Sequence, residues 1–297
     1  MNEWEVIELA SRIFTPERGE VVSGAGEDDC AVIKTGEKFM VLTADALRES
    51  TDFPPQMEEW EKGHMSLAVN LSDVAAMGAE PAYFLYTVSI PEKYRPQDFE
   101  EFCMGIERLA RRFGVDVVGG DTDGGEELQV SGFAVGFTAK PLMRKGARAG
   151  ERVYLTGLTG KAQLSLEQLF SGMSREEIAY PSELYTPEPR VREGIEISEF
   201  ASSCTDISDS LAISLHLISR ASGVRIELSS ELIELDHLTE FVDEDKAMEL
   251  FLYAGGDFEL VYTCESCDNG FKIGRVVEGS GVYIDGRAVE FRGYQHF

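Results

Sequence analysis

Gly24-Ala-Gly-Glu-Asp-Asp-Cys-Ala-Val32 is the stretch around which the rest of the chain is best read. Small residues bend the backbone, Glu27, Asp28 and Asp29 follow in a row, and the chain then turns apolar through Cys30, Ala31, Val32 and Ile33. Carboxylates this close repel one another, and the repulsion grows where water is scarce. A divalent cation compensates best. Oxygen-only ligands select a hard ion such as Mg²⁺ rather than zinc. Taken alone, an acidic triplet is most often a solvated turn, so its meaning depends on whether the pattern recurs.

It recurs five times. Phe39-Met-Val-Leu-Thr-Ala44 has the pattern of a buried strand, with Asp45 at its end. Met65 to Met77 reads as a helix stopped by Gly78, and Asp73 stands in it among apolar and small residues, where an unpaired carboxylate is costly to bury. A short strand, Val115-Asp-Val-Val118, breaks into Gly119-Gly-Asp-Thr-Asp-Gly-Gly125, which carries Asp121. Cys204-Thr-Asp-Ile-Ser-Asp209 supplies Asp206 and Asp209 just before an amphipathic helix through Leu211, Ile213, Leu215 and Ile218. Ser208 or Asp209 can cap that helix, whose first N–H groups also attract phosphate. Each of Asp29, Asp45, Asp73, Asp121, Asp206 and Asp209 follows or interrupts an apolar segment beside a small residue. Carboxylates that converge need metal, and several Mg²⁺ ions together imply a polyphosphate. Phosphoryl transfer needs metals and positioning more than a side-chain nucleophile. No Ser-His-Asp or Cys-His arrangement is evident. A phosphate acceptor is already anionic at neutral pH and requires no general base.

The 297 residues suggest about two domains. Strands and helices mix with few βαβ alternations, which favours an α+β fold. The basic, glycine-containing stretch Pro141–Gly150 places the boundary between 1–140 and 141–297. A net charge of −27 argues against nucleic acid or an anionic membrane as partner. Five cysteines, an odd count, favour free thiols in a reducing compartment, and Cys264-Glu-Ser-Cys267, lacking a second pair, reads as a turn. No apolar run reaches the ~18 residues of a membrane span, and the acidic start Met1-Asn-Glu-Trp-Glu-Val6 is unlike a targeting peptide. A cytoplasmic protein is the expectation. Gly157-Leu-Thr-Gly-Lys161 resembles a P-loop but fails its spacing, with Leu155 where the first glycine belongs and Ala162 after the lysine. Phe271–Val277 and Gly281–Asp285 read as a hairpin closed at Asp285-Gly286. Leu71-Ser-Asp-Val-Ala75 and Ile207-Ser-Asp-Ser-Leu211 share a short core that hints at two similar halves.

Gly26-Glu-Asp-Asp-Cys-Ala-Val32, Thr43-Ala-Asp45, Asn70-Leu-Ser-Asp-Val-Ala-Ala-Met-Gly78, Gly119-Gly-Asp-Thr122, Asp206-Ile-Ser-Asp209 and the closing Gly293-Tyr-Gln-His-Phe297 resemble, in order and nearly end to end, the thiamine-monophosphate kinase family of the aminoimidazole ribonucleotide synthetase superfamily. The resemblance implies two α/β domains, the first pairing across a homodimer into a barrel-like sheet. It implies in-line transfer from ATP to thiamine phosphate, giving thiamine diphosphate, with no nucleic-acid or membrane partner. By motif, Asp29, Thr43, Asp45, Asp73, Asp121, Asp206 and Asp209 would hold several Mg²⁺ ions. Gly120, Asp121, Arg144 and Ser208 would contact ATP, Arg144 as a phosphate clamp. Asp52 and an aromatic, Phe291 or Tyr294, would face the acceptor. Several positions depart from the family pattern. Glu27 is inserted before the acid pair, Ala44 stands for a threonine, Asp52 for a histidine, and Asp209-Ser-Leu211 for Asp-Gly-Leu. Ala254-Gly-Gly-Asp-Phe258 lacks a glutamate expected on the acceptor side. The metal and ATP side is therefore intact, while the acceptor side is altered. The rival readings are another ATP-dependent synthetase of the superfamily and a non-catalytic nucleotide-binding regulator.

Overall fold

The helix read from Met65 begins earlier, at Glu59, and ends at Ala76. Nearly every residue from Glu61 onward is buried. A helix that is apolar or small all round belongs in a core, and this one lies between two sheets. The computed structural model describes residues 2–268 and 270–295, so Met1 and the His296-Phe297 end of the closing motif lie outside the described residues.

The first sheet contains β1 (Val21–Ser23), β2 (Ala31–Thr35), β3 (Lys38–Arg48), β4 (Glu80–Pro91), β5 (Asp116–Gly125) and β6 (Gln129–Thr138), in the order β1-β2-β3-β6-β4-β5. The second contains β7 (Arg152–Leu155), β8 (Ser203–Ile207), β9 (Arg225–Leu228), β10 (Glu259–Cys264), β11 (Phe271–Val277), β12 (Gly281–Ile284) and β13 (Arg287–Ala288), in the order β13-β12-β9-β11-β7-β10-β8. The helices are α1 (Glu3–Ile13), α2 (Glu59–Ala76), α3 (Pro96–Phe113), α4 (Lys161–Phe170), α5 (Pro181–Tyr185), α6 (Val191–Ser198), α7 (Leu211–Ser222), α8 (Asp236–Thr239) and α9 (Glu244–Tyr253). The fold is mixed α/β with two sheets, and neither sheet closes on itself.

Glycines let α2 sit this deep. A Cβ on Gly63 would lie 1.9 Å from the Phe102 carbonyl oxygen, and one on Gly105 1.8 Å from that of Trp60, so α2 and α3 cross backbone to backbone. Gly194 does the same for α6 against Ala75. The second sheet is buried on both faces: Cys204, Leu260 and Tyr262 join the core around α2, while Ile207 and Val261 join a second core with α7 and α9. That alternation follows from the period of two along a strand. The first sheet buries only one face, through residues such as Phe84, Val88, Val130 and Ala134. Its other face exposes Tyr83, Leu85 and Phe133, and every residue of the edge strand β5 is exposed.

Four sequence expectations need correction. β3 does not stop at Ala44 but runs through Asp45 to Arg48. Gly119–Gly125 is not a break but part of β5, paired parallel to β4, and Gly120 is required there because a Cβ would meet the Tyr86 carbonyl oxygen at 1.9 Å. Phe271–Val277 and Gly281–Asp285 are not hairpin partners: β11 pairs with β7 and β9, and Asp285-Gly286 turns β12 into β13. The two Ser-Asp segments are not equivalent, since one lies inside α2 and the other follows β8. Among the described residues no helix is long and apolar enough to cross a membrane.

Gly105→Ala should destabilise the protein by about 1–3 kcal/mol, the usual cost of overpacking. Gly19→Ala, with no atom within 4 Å of the new methyl group, should not. Urea unfolding midpoints that shift equally for the two would refute the backbone-to-backbone contact.

Candidate active site

Three elements from distant parts of the chain bring Asp29, Asp73 and Asp206 together, with a carboxylate oxygen of each within 4.8 Å of the others. Asp29 ends the acidic bend, Asp73 lies on α2, and Asp206 lies on the wholly buried β8. Asp45 stands nearby. Because β3 continues past Ala44, Thr43 and Asp45 share a face of the strand, and the Thr43 hydroxyl donates to Asp73. Gly132, opposite Asp45, leaves room for the Asn70 side chain.

The cluster is only partly compensated from within. The Arg144 guanidinium pairs with Asp29 Oδ1, which also accepts the Thr205 hydroxyl at 2.8 Å. Ser72 donates to Asp206 Oδ2 at 2.7 Å. The Arg144 backbone N–H donates to both oxygens of Asp28, at 3.2 and 3.1 Å. Asp29 Oδ2 and Asp45 Oδ2 are buried with no hydrogen-bond partner. The electrostatics follow from this. Burial, then the charge of Asp29, raises Asp206 to about 8 and Asp28 to about 7. Burial, then Asp209, raises Asp45 to about 6. Burial, then Asp45, Asp206 and Asp29, pushes Asp73 well above the carboxylate range. Orphaned oxygens in an all-oxygen set fit a hard divalent cation.

A cavity of about 350 Å³ adjoins this cluster. Asp45, Ser208 and Asp209 line it, as do Asp52 and Tyr294. Its lining also includes Glu3 and apolar groups from Met65, Val69, Leu166, Leu184 and Phe258, and among the described residues it contains no lysine or arginine. Not every expected residue arrives. Gly120 and Asp121 lie on the exposed edge strand β5, outside the cluster. Phe291 does not line the cavity; its ring packs edge-on against Trp4 and His216, under Arg220. Ser210, not Ser208 or Asp209, caps α7, accepting from Ile213 N–H at 3.1 Å. Ser208 and Asp209 line the cavity instead. The inserted Glu27 closes the acidic bend by accepting from Gly24 N–H at 2.7 Å. The P-loop-like turn holds an anion after all, but an internal one: Asp257 accepts from the N–H groups of Gly160, Lys161 and Ala162 at 2.6–3.1 Å. Sequence reading overlooked Ser72, Thr205 and Asp28 as supports of the site. Their signal was adjacency, since Ser72, Thr205 and Asp28 each immediately precede a clustered aspartate.

Residues 27–138 match the family described as AIR synthase related protein, N-terminal domain. That stretch holds Asp29 and Asp73 of the cluster and the first sheet from β2 to β6, so this part of the chain resembles a domain of AIR synthase-related proteins. Over its full length the chain is 50% identical to the thiamine-monophosphate kinase of Archaeoglobus fulgidus, covering 98% of that relative. It is 37% identical to that of Methanospirillum hungatei over 91% of this chain and 92% of the relative. The solved structure of AaThiL complexed with AMPPCP and TMP superposes with a TM-score of 0.90 at 29% identity, covering 100% of this chain and 97% of that one. The chain belongs to the thiamine-monophosphate kinase family.

The raised carboxylates set a pH dependence. Their folded values of about 6 to 8 lie above the ~3.9 of an unfolded aspartate. The folded, metal-free protein therefore binds more protons than the unfolded chain between about pH 4 and pH 8, and its stability falls as pH rises through that window. Metal-free protein should melt lower at pH 8 than at pH 6, and added Mg²⁺ should raise the melting temperature more at pH 8. A Mg²⁺ effect of equal size at both pH values would contradict a cation site built from these groups.

Proposed function

We propose that this protein transfers the terminal phosphoryl group of ATP in line to thiamine phosphate, giving thiamine diphosphate and ADP, with Mg²⁺ as cofactor. The observation that carries the reading is the approach of the carboxylate cluster to the cavity: Asp45, whose charge helps raise the proton affinity of Asp73, lines the cavity. The lining combines acids with apolar side chains and, among the described residues, has no lysine or arginine, which suits a cationic thiazolium and a flat pyrimidine. Full-length similarity to a protein complexed with AMPPCP and TMP supports the same pair of ligands.

In this reading Asp29, Asp45, Asp73 and Asp206, with Asp209 and the Thr43 hydroxyl, hold Mg²⁺. When bound, the metal neutralises phosphate oxygens and orients the transferring group. Arg144 exchanges its internal partner Asp29 for a phosphate oxygen and clamps it with its forked donors. Ser208 contacts the nucleotide. Asp52 and Tyr294 face the acceptor from the cavity wall. Among the described residues no histidine acts as base: the Nε2 atoms of His64, His216 and His237 lie 2.9 Å from backbone carbonyls of Pro187, Val289 and Thr159. The acceptor phosphate supplies an oxygen that is already anionic.

The exposed apolar face of the first sheet supports a homodimer in which two such sheets meet as a barrel. Gly120 and Asp121, on the edge strand of that sheet, would join the nucleotide site through this pairing. Residues 1–140 then form the dimerising, metal-binding domain, and 141–297 complete the ATP and acceptor site. The reading places the protein in the cytoplasm.

Purified protein should convert thiamine phosphate to thiamine diphosphate with ATP and Mg²⁺, as followed by chromatography. Asp45→Asn should lower kcat by about 10²-fold or more, the scale of losing one stabiliser of transition-state charge. No diphosphate product, together with turnover of another acceptor, would refute the substrate. Retained nucleotide binding with no turnover by the wild type would favour the regulator. Light scattering should give the mass of a dimer, and Leu85→Arg should reduce it to that of a monomer with loss of activity. An unchanged dimer would refute the sheet-to-sheet interface.

A further inference from the structure

Part of the cavity lining comes from the connection between β3 and α2: its residues 49–57 contribute Thr51, Asp52 and Pro54. A connection of this kind is ordinarily the mobile part of a site. Here it is gripped at its far end by groups from the 171–190 segment. The Tyr185 hydroxyl donates to the Pro55 carbonyl at 2.9 Å, and Tyr185 itself is 1% exposed. Arg175 donates from Nη1 to the Gln56 carbonyl at 3.1 Å and from its backbone N–H to Gln56 Oε1 at 3.3 Å. The same guanidinium forks onto the buried carboxylate of Glu61 in the first turn of α2, with Nη1 to Oε2 at 2.6 Å, and lies 4.3 Å over the Tyr185 ring. Glu61 in turn accepts from Glu58 N–H at 2.8 Å, where α2 begins. The gripped residue is under strain: Gln56 holds φ at +65°, a region that residues with a side chain rarely adopt, and such a residue persists when its surroundings over-determine it. The short helix α5 also serves both purposes, since Leu184 lines the cavity while its neighbour Tyr185 holds the loop.

We infer that Arg175, Tyr185 and Glu61 form a clasp that positions the 49–57 loop for the acceptor, so that acceptor affinity is set by residues that do not line the cavity. These are positioning residues. Arg175, Tyr185 and Glu61 act through Asp52 and Thr51, and they lie apart from the metal cluster. The inference rests on the cavity being the acceptor site. Its loop-ordering half stands independently of which acceptor is bound.

The test combines kinetics with hydrogen exchange on the full-length protein. Tyr185→Phe deletes only the hydroxyl that reaches Pro55. Arg175→Ala deletes the fork but leaves Glu61 buried and unpaired. Arg175→Lys keeps a charge for Glu61 but loses the planar fork. Arg175→Ala should raise KM for thiamine phosphate about tenfold, Tyr185→Phe less, and Arg175→Lys should fall between Arg175→Ala and wild type. KM for ATP and kcat should move by less than about twofold. A purely structural role would lower the active fraction, and with it kcat, leaving both KM values in place. Amide exchange should accelerate in residues 48–57 of Arg175→Ala and Tyr185→Phe, and not in α3 or β6. Unchanged exchange in that loop overturns the clasp, whatever the acceptor proves to be. Faster exchange with an unchanged KM for thiamine phosphate in an active enzyme overturns its role in acceptor binding. A wild type that does not use thiamine phosphate, with variants that do show the faster exchange, refutes the substrate reading and leaves the clasp standing.

Discussion

Three carboxylates held within 4.8 Å of one another are the constraint on which this structure turns. At an effective dielectric near 20, two unit charges at that separation repel by about 3 kcal/mol. Three such pairs would consume much of the net stability of an ordinary domain, about 5–15 kcal/mol. The metal-free fold meets the problem in two ways. It surrounds the acids with donors, namely Arg144, Thr205, Ser72 and Thr43. It also shifts the proton affinities of Asp73 and Asp206 upward, so that part of the charge is absent at neutral pH. Neither device satisfies the outer oxygens of Asp29 and Asp45. A cation site is a place where the protein alone is left incomplete.

The scaffold follows from that requirement. Acids from a bend, a helix and a strand can meet only if the helix passes between the two sheets, and it can pass only if it is slim. Gly63 against Phe102, Gly105 against Trp60 and Gly194 against Ala75 are the contacts that allow this. The small residues around Asp73 serve the same packing. The second sheet is then obliged to be apolar on both faces, because one side meets α2 and the other meets α7 and α9. The first sheet has helices on one side only, and its other side remains apolar and open.

Most of the acid cluster was legible in the sequence, because a carboxylate between apolar residues and beside a small one has few structural reasons to be there. What was not legible depended on partners distant in the chain. Glycine and aspartate are poor strand formers, yet Gly119–Gly125 is strand because β4 offers a parallel edge and only glycine fits against Tyr86. Asp45 looked terminal because the alternation after it is half exposed, although β6 pairs with β3 as far as Arg48. The false hairpin arose from proximity in sequence, whereas β9 and β7 lie between and beside the strands concerned. Phe291 and Tyr294 could not be separated by counting. Only the packing of Phe291 on Trp4 and His216 assigns one ring to the scaffold and leaves the other at the cavity. The P-loop-like turn was rightly refused as a phosphate site, and the reason its N–H groups are unavailable is Asp257.

The most direct test of the central claim is a crystal of this protein grown with Mn²⁺ in place of Mg²⁺ and with AMPPCP, read by anomalous scattering. The account predicts metal peaks bounded by Asp29, Asp45, Asp73 and Asp206, with the nucleotide phosphates on their open side. Well-ordered nucleotide whose metal lies away from these four carboxylates would contradict it.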